Sequence, residues 1–205
     1  MKTIQTTIAV LVLSIFIFSC SKEDEIPSAT PKPLSEAVSF QNIYEIIIAD
    51  ASGANVDLPS TTISIINVNK IATILDYKKV TLEMNIFHTI QSELNFILVS
   101  PDGTECLFIK RVGSDGDFIS TNKLRFSAAF TNILPNSGLN FVAGNYKESQ
   151  GVGSFSTPIL KPIFLDFQEK NIFGSWKLKI TDYKNGVRGK IISWKLIFET
   201  GALNQ

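Results

Sequence analysis

One histidine and two cysteines among 205 residues leave little from which to build a reactive centre. Metal clusters that draw their ligands from histidine and cysteine are excluded by that count. A Ser-His-Asp or Cys-His machine would have to use His88, and nothing around it supplies a nucleophile in a suitable setting. No Gly-x-Ser-x-Gly elbow, His-Glu-x-x-His helix, Cys-x-x-Cys pair or phosphate-binding glycine loop occurs. An excess of one charge is lacking too: 19 basic residues balance 19 acidic ones, so no overall field favours nucleic acid or an anionic membrane face. Long stretches rich in Ala, Leu, Glu and Lys are missing. Phe and Ile recur instead in short alternating runs, which indicates an all-β protein.

The one long apolar run lies at the start. Met1-Lys2 is positively charged, and Ile8 to Phe18 is apolar but shorter than the ~20 residues of a membrane span. Residues 1–19 therefore read as a secretion signal. Ile17-Phe18-Ser19-Cys20 resembles a lipobox, so cleavage before Cys20 and acylation of its sulfur are expected, with the membrane as the anchor's partner. The acidic run Ser21 to Glu25 resembles the export signal of Gram-negative surface lipoproteins; its plainer reading is a solvated spacer. Either way the expected location is the outer membrane. Three prolines between Ile26 and Ala37 make residues 20–37 a semi-extended tether ahead of a single domain over 38–200 and a tail over 201–205.

With Cys20 committed to lipid, Cys106 has no partner for a disulfide. In Thr104 to Ile109 it alternates in phase with Phe108, as a buried structural thiol would.

Strands are expected at Tyr44 to Ile48 and Thr61 to Val68, separated by the breakers Gly53, Asn55, Asp57 and Pro59. Val80 to Ile86 alternates without a slip, one face apolar and one polar. Leu94 to Val99 and Thr104 to Lys110 should form a hairpin about Ser100-Pro101-Asp102-Gly103. Shorter strands are expected at Lys123 to Phe126 and near Phe141. Ser175 to Thr181 places Trp176, Leu178 and Ile180 on one face, and Ile192 to Phe198 should pair with it across a loop containing Asn185-Gly186. Such a set implies two packed antiparallel sheets of jelly-roll type, with Trp176 and Trp194 as core pillars.

Two groups of residues carry a family resemblance. His88-Thr89-Ile90-Gln91-Ser92-Glu93-Leu94 followed by Leu98-Val99-Ser100-Pro101-Asp102-Gly103-Thr104 resembles the pattern H-T-x-x-x-D-L, then L-x-S-P-x-G-T, of the P domain (Homo B domain) of subtilisin-like proprotein convertases. Gly174 to Asp182 and Gly189 to Leu196 resemble that family's G-x-W-x-L-x-V-x-D and G-x-L-x-x-W-x-L. Glu93 stands where the family usually has Asp, and Asn171-Ile172-Phe173-Gly174 replaces a more polar loop. The resemblance implies a galactose-binding-like jelly roll that accompanies a protease catalytic domain. The residues ahead of it here read as signal and tether, so what it implies is a module and not an activity.

The expectation is thus a non-catalytic surface lipoprotein that presents its sandwich to a protein or glycan partner; the alternative is an accessory subunit of a separate serine endopeptidase. No cofactor is required. Calcium is a further expectation, since P-domain-like sandwiches sometimes bind it: Asp115 and Asp117 lie on a glycine-rich loop, and Asp102, Asp166 and Asp182 could join them. The competing reading of those aspartates is as turn residues facing water.

Overall fold

A computed structural model describes residues 32–53, 57–113, 115–135, 140–148 and 161–205. The expected signal, Cys20 and the tether up to residue 31 lie outside the described residues. In chain order the strands are β1 (Val38–Asn42), β2 (Ile46–Ile48), β3 (Ser60–Val68), β4 (Thr73–Ile74), β5 (Val80–Phe87), β6 (Leu94–Val99), β7 (Glu105–Lys110), β8 (Leu124–Phe126), β9 (Gly144–Tyr146), β10 (Gly174–Asp182), β11 (Gly189–Phe198) and β12 (Leu203–Asn204). Three single-turn 3-10 segments, at Tyr77–Lys79, Gln91–Glu93 and Leu165–Phe167, are the helical elements among the described residues.

Two sheets make an all-β sandwich. The first runs β1-β11-β5-β8-β9, with β2 pairing farther along β11; the second runs β3-β10-β6-β7. Every pair is antiparallel except β8 with β9. Alternation explains the layering: a strand turns successive side chains to opposite faces, so a run that is apolar at every second position has a core face by construction. In β5 this buries Leu82, Met84 and Ile86, and in β10 it buries Trp176, Leu178 and Ile180. Both indoles are sealed, as expected. Burying a ring of that size removes about 150–250 Å² from water, on the order of 4–6 kcal/mol at ~25 cal/mol per Å². Trp176 packs edge-on against Phe167 at 5.2 Å and Phe198 at 6.1 Å, while Phe96, Phe108, Phe118, Phe126 and Phe141 form a chain of tilted and edge-on rings at 4.9–6.1 Å.

The hairpin of β6 and β7 forms as the sequence indicates. Ser100 N–H donates to Thr104 O and Gly103 N–H to Ser100 O, both at 2.9 Å, with Gly103 at φ +89. The expected pairing of Ser175–Thr181 with Ile192–Phe198 does not form. β10 lies between β3 and β6 in the second sheet, and β11 between β1 and β5 in the first. The reason lies in the connecting loop, which is stitched to another segment. Asn185 N–H donates to Asp57 Oδ1 and its amide to Gly53 O, each at 3.2 Å, and Gly186 N–H points at the Asp50 carboxylate at 3.1 Å. Held in this way, the loop crosses from one layer to the other, and the two tryptophans meet the core from opposite sheets.

Both borders of the domain extend beyond the expected limits. Leu34 N–H donates to Leu203 O at 2.8 Å, Pro33 bridges Asn204, and β12 pairs with β4. Ala202 and Leu203, in the expected tail, are buried. Near Phe141 the strand lies slightly later, at β9, and Phe141 itself is a core residue outside any strand.

Candidate functional site

The parity that builds the core runs one residue past the end of β5 and to the last residue of β10. His88 follows Leu82, Met84 and Ile86 in phase, and Asp182 follows Trp176, Leu178 and Ile180. Both side chains therefore turn inward, from opposite sheets, and meet at the end of the sandwich. His88 Nε2 lies 3.3 Å from Asp182 Oδ2, and both residues are 0% exposed. The His88 backbone is fixed by a two-bond bridge to Phe118, at 3.1 and 2.8 Å. Its Nδ1 faces Ile90 O at 2.9 Å and Ile90 N at 3.2 Å, one of which it engages according to tautomer. Asp182 is oriented by Lys184 N–H, which donates to Oδ1 at 3.0 Å.

Glu93 is the third member. It closes the 3-10 turn Gln91–Glu93 just before β6, where Leu94 is in register with Asp182. Tyr183 N–H donates to Glu93 O at 3.0 Å, which clamps the two backbones together. The Glu93 residue is 8% exposed, and its Oε2 is buried without a hydrogen-bond partner. Burial, reinforced by the Asp182 carboxylate beside it, raises the Glu93 carboxyl above its usual value, with His88 acting in the opposite sense. One donor atom from each of His88, Glu93 and Asp182 lies within 4.8 Å of the others; among the described residues this is the group of three or more potential ligands.

The counting of histidines and cysteines missed this group, because carboxylates supply two of its three members. The signal that finds it is strand phase, extended by one further inward position on β5 and on β10.

The other singled-out residues are dispersed. Asp102 sits in the β6–β7 turn, accepting from Ser100 Oγ and from Thr104 N–H at 3.1 Å, and pairs with Lys170 Nζ at 2.6 Å. The lysine and the Ser100 hydroxyl hold its carboxyl well below the usual carboxylate range. Asp166 pairs with Lys161 at 2.7 Å. Asp115 is exposed. Asp117 is half-buried, with its carbonyl accepting from Gln91 Nε2 at 2.7 Å and its N–H donating to Asn140 Oδ1 at 2.9 Å. Of the aspartates considered for calcium, Asp182 alone joins the cluster. Cys106 Sγ accepts from Phe164 N–H at 3.3 Å, and burial pushes its thiol up to about 11. It is a packed thiol with little nucleophilic character.

The motif segments touch a second time at the opposite end of β10. Gly174, at φ +121, approaches Pro101 so closely that a Cβ there would lie 2.9 Å from the proline Cβ. The Ser-Pro-Asp-Gly turn and the Gly-x-Trp strand are thus packed together at one end of β10, as His88 and Asp182 are at the other.

No protein-family model matches the chain, and no curated protein does. Among the solved structures found to be similar over part of their length are two from one organism. One is the serine protease of Aeromonas sobria, with TM-score 0.38 and 19% identity over 85% of this chain and 28% of that one. The other is the same organism's serine protease in complex with its chaperone, with TM-score 0.38 and 20% identity over 83% of this chain and 28% of that one. The match thus takes up less than a third of each solved chain.

Proposed function

We propose that the chain is a non-catalytic, P-domain-like interaction module of the cell envelope, tethered through lipid on Cys20, and that it serves as an accessory or stabilising subunit for a separate subtilisin-like serine endopeptidase. The observation that carries this reading is the convergence of the two motif segments. Residues 94 positions apart meet at His88 and Asp182, and again where Gly174 meets Pro101. That is what motifs serving one shared architecture should do. The non-catalytic part is supported by the placement of His88: its ring is sealed in the core and both nitrogens have neighbours, so no substrate reaches it.

A surface suited to a protein partner lies along one border. Polar inward residues on β3, Thr62 and Ser64, leave Ile63 and Ile65 facing outward. The adjoining β1–β2 stretch exposes Ile43, Tyr44 and Ile47, and Asn42 Nδ2 donates to Ile65 O at 2.9 Å where the two meet. Clustered exposed apolar side chains of this kind suit a protein contact.

The test is to co-express the full chain with a subtilisin-like protease of the same cell, recover the complex, and measure the protease's thermal inactivation half-life with and without the chain. Joint recovery and a longer half-life are expected, both weakened by Ile47→Asp with Ile65→Asp. Absence of the protease from the purified material together with an unchanged half-life defeats the accessory role. Peptide hydrolysis by the chain alone, abolished by His88→Gln, defeats the non-catalytic one.

A further inference from the structure

We infer that His88, Glu93 and Asp182 form a structural binding site for one zinc-type divalent cation, buried where the two sheets meet. This inference does not depend on the accessory role proposed above.

Four observations converge on it. The spacing is right: a tetrahedral site with metal–ligand bonds of about 2.0–2.1 Å has edges of about 3.3–3.4 Å, and His88 Nε2 stands 3.3 Å from Asp182 Oδ2. Glu93 supplies a carboxylate oxygen within 4.8 Å of both, and a water would take the fourth position. Second, Glu93 is more than nine-tenths buried and its Oε2 has no hydrogen-bond partner, a condition that a bound cation would relieve.

Third, a divalent cation would balance the charge that this group buries. Two carboxylates share this enclosure with one imidazole. A divalent cation bound to a neutral imidazole neutralises both.

Fourth, the surroundings orient the donors as they are oriented around metals. The shorter of the two Nδ1 contacts is to Ile90 O, at 2.9 Å. In the tautomer that donates Nδ1–H to that carbonyl, the Nε2 lone pair is aimed at Asp182; in the other, Ile90 N–H donates to Nδ1 and Nε2–H to Asp182. In the first, lone pair and carboxylate face each other and need a cation or proton between them. Lys184 N–H holds Asp182 Oδ1, leaving Oδ2 turned inward.

The donor set also selects the ion. Calcium takes six to eight oxygens at about 2.3–2.6 Å, more than this enclosure supplies, whereas one imidazole and two carboxylates suit zinc and its first-row neighbours. The three ligands come from three segments that assemble only in the fold, so the ion would enter during folding and chelation would act on the folded fraction.

The full chain, refolded from denaturant in EDTA and then titrated with Zn²⁺ or Co²⁺, provides the test. Expected are one tightly held equivalent of metal after gel filtration, visible d–d bands from the Co²⁺ form typical of four-coordination, and a melting temperature that rises with free Zn²⁺. Glu93→Gln keeps the side-chain shape and leaves the His88–Asp182 contact in place; it should lose the cobalt bands and the Zn²⁺-dependent rise while remaining folded. If Glu93→Gln fails to fold, the wild-type stoichiometry and cobalt spectrum decide alone. A wild-type chain that retains no stoichiometric metal overturns the inference, as does a Glu93→Gln chain that binds as the wild type does. Either result would make the cluster a proton-sharing pair beside a histidine.

Discussion

Ser64→Ala should destabilise the sandwich by about 1–3 kcal/mol, although it deletes one oxygen from a small side chain. Ser64 Oγ accepts from Trp194 Nε1 at 2.8 Å, and also from Asn42 Nδ2 at 3.2 Å. Ser64 is on β3 and Trp194 on β11, so this bond ties one sheet to the other through the core. Asn42 is half-buried and keeps Ile65 O at 2.9 Å, so its loss is small. Trp194 is 1% exposed and Ser64 also 1%. Its N–H, deprived of the hydroxyl, finds neither water nor a second acceptor, and the full desolvation penalty of a buried donor applies. In a domain of 150–250 residues each kcal/mol moves the midpoint by about 2–4 °C, so a loss of ~2 kcal/mol lowers it by roughly 4–8 °C. Urea unfolding followed by tryptophan fluorescence is the assay, with the m-value checked for constancy. A cycle with Trp194→Phe isolates the pair, and a coupling of about 0.5–3 kcal/mol is expected for partners in direct contact. A Ser64→Ala change within about 0.5 kcal/mol of wild type, with no coupling, would mean that water reaches the indole and that the sheets do not close over it.

Gly189→Ala should cost about 1–3 kcal/mol through overpacking, because the added Cβ would lie 2.4 Å from His88 Cδ2 and 2.5 Å from the Phe87 carbonyl oxygen, and backbone cannot yield as a flexible side chain can; a neutral result in urea melts would show that β5 and β11 separate easily there. Cys106 in the native chain should react with iodoacetamide at least about 10-fold more slowly than in the unfolded chain near neutral pH, because burial pushes its thiol up to about 11 and removes thiolate; peptide mapping that finds it alkylated at the rate of an unfolded thiol refutes the packing. The Asp102 carboxyl is lowered by Lys170 and Ser100, so its contribution to stability is complete above its unfolded value near 3.8 and fades as pH falls through the lower folded value. Asp102→Asn should therefore differ from wild type at neutral pH by no more than a partly exposed pair provides, about 0–1 kcal/mol, and that difference should shrink below pH ~4; parallel acid-unfolding curves with a constant gap would contradict it.

How far the sequence alone carried the fold depends on where its alternation was one-sided. In β5, Leu82, Met84 and Ile86 have polar or small residues between them, so one register buries the apolar set and the other exposes it. β10 is as clear, with lysines at the intervening positions. β3 is different. Its run Thr61 to Val68 has two apolar residues on each face, Ile63 and Ile65 on one and Ile66 and Val68 on the other, so its own pattern favours neither. The structure turns the second face inward because Trp194 needs an acceptor and the Ala49 N–H needs Thr62 Oγ1, at 2.7 Å. Those partners lie 130 and 13 residues away, and no local window contains them. The misassigned hairpin has the same origin. Asn185-Gly186 is a strong turn signal, and only the distant Asp50, Gly53 and Asp57 redirect the loop it begins.

The buried cluster was legible in principle, because strand phase alone places His88 and Asp182 inside. What phase does not supply is the third member. Glu93 enters through a 3-10 turn whose residues obey no two-residue alternation, and its position depends on the register of Leu94 against Asp182. That arrangement bears on function. Water-sealed carboxylates are costly, and a sandwich with this much aromatic core does not need them for stability. Their position at the layer-to-layer crossover, directly before the loop tied to Asp50 and Asp57, assigns them to fixing how the two sheets end relative to each other. The same crossover carries the strand pairing between β2 and β11 at Gly189 and Ile48, next to exposed Ile47 on the apolar border. Loosening the cluster should therefore disturb that border before it disturbs the aromatic core, which links the ion content of the buried site to the shape of the surface offered to a partner.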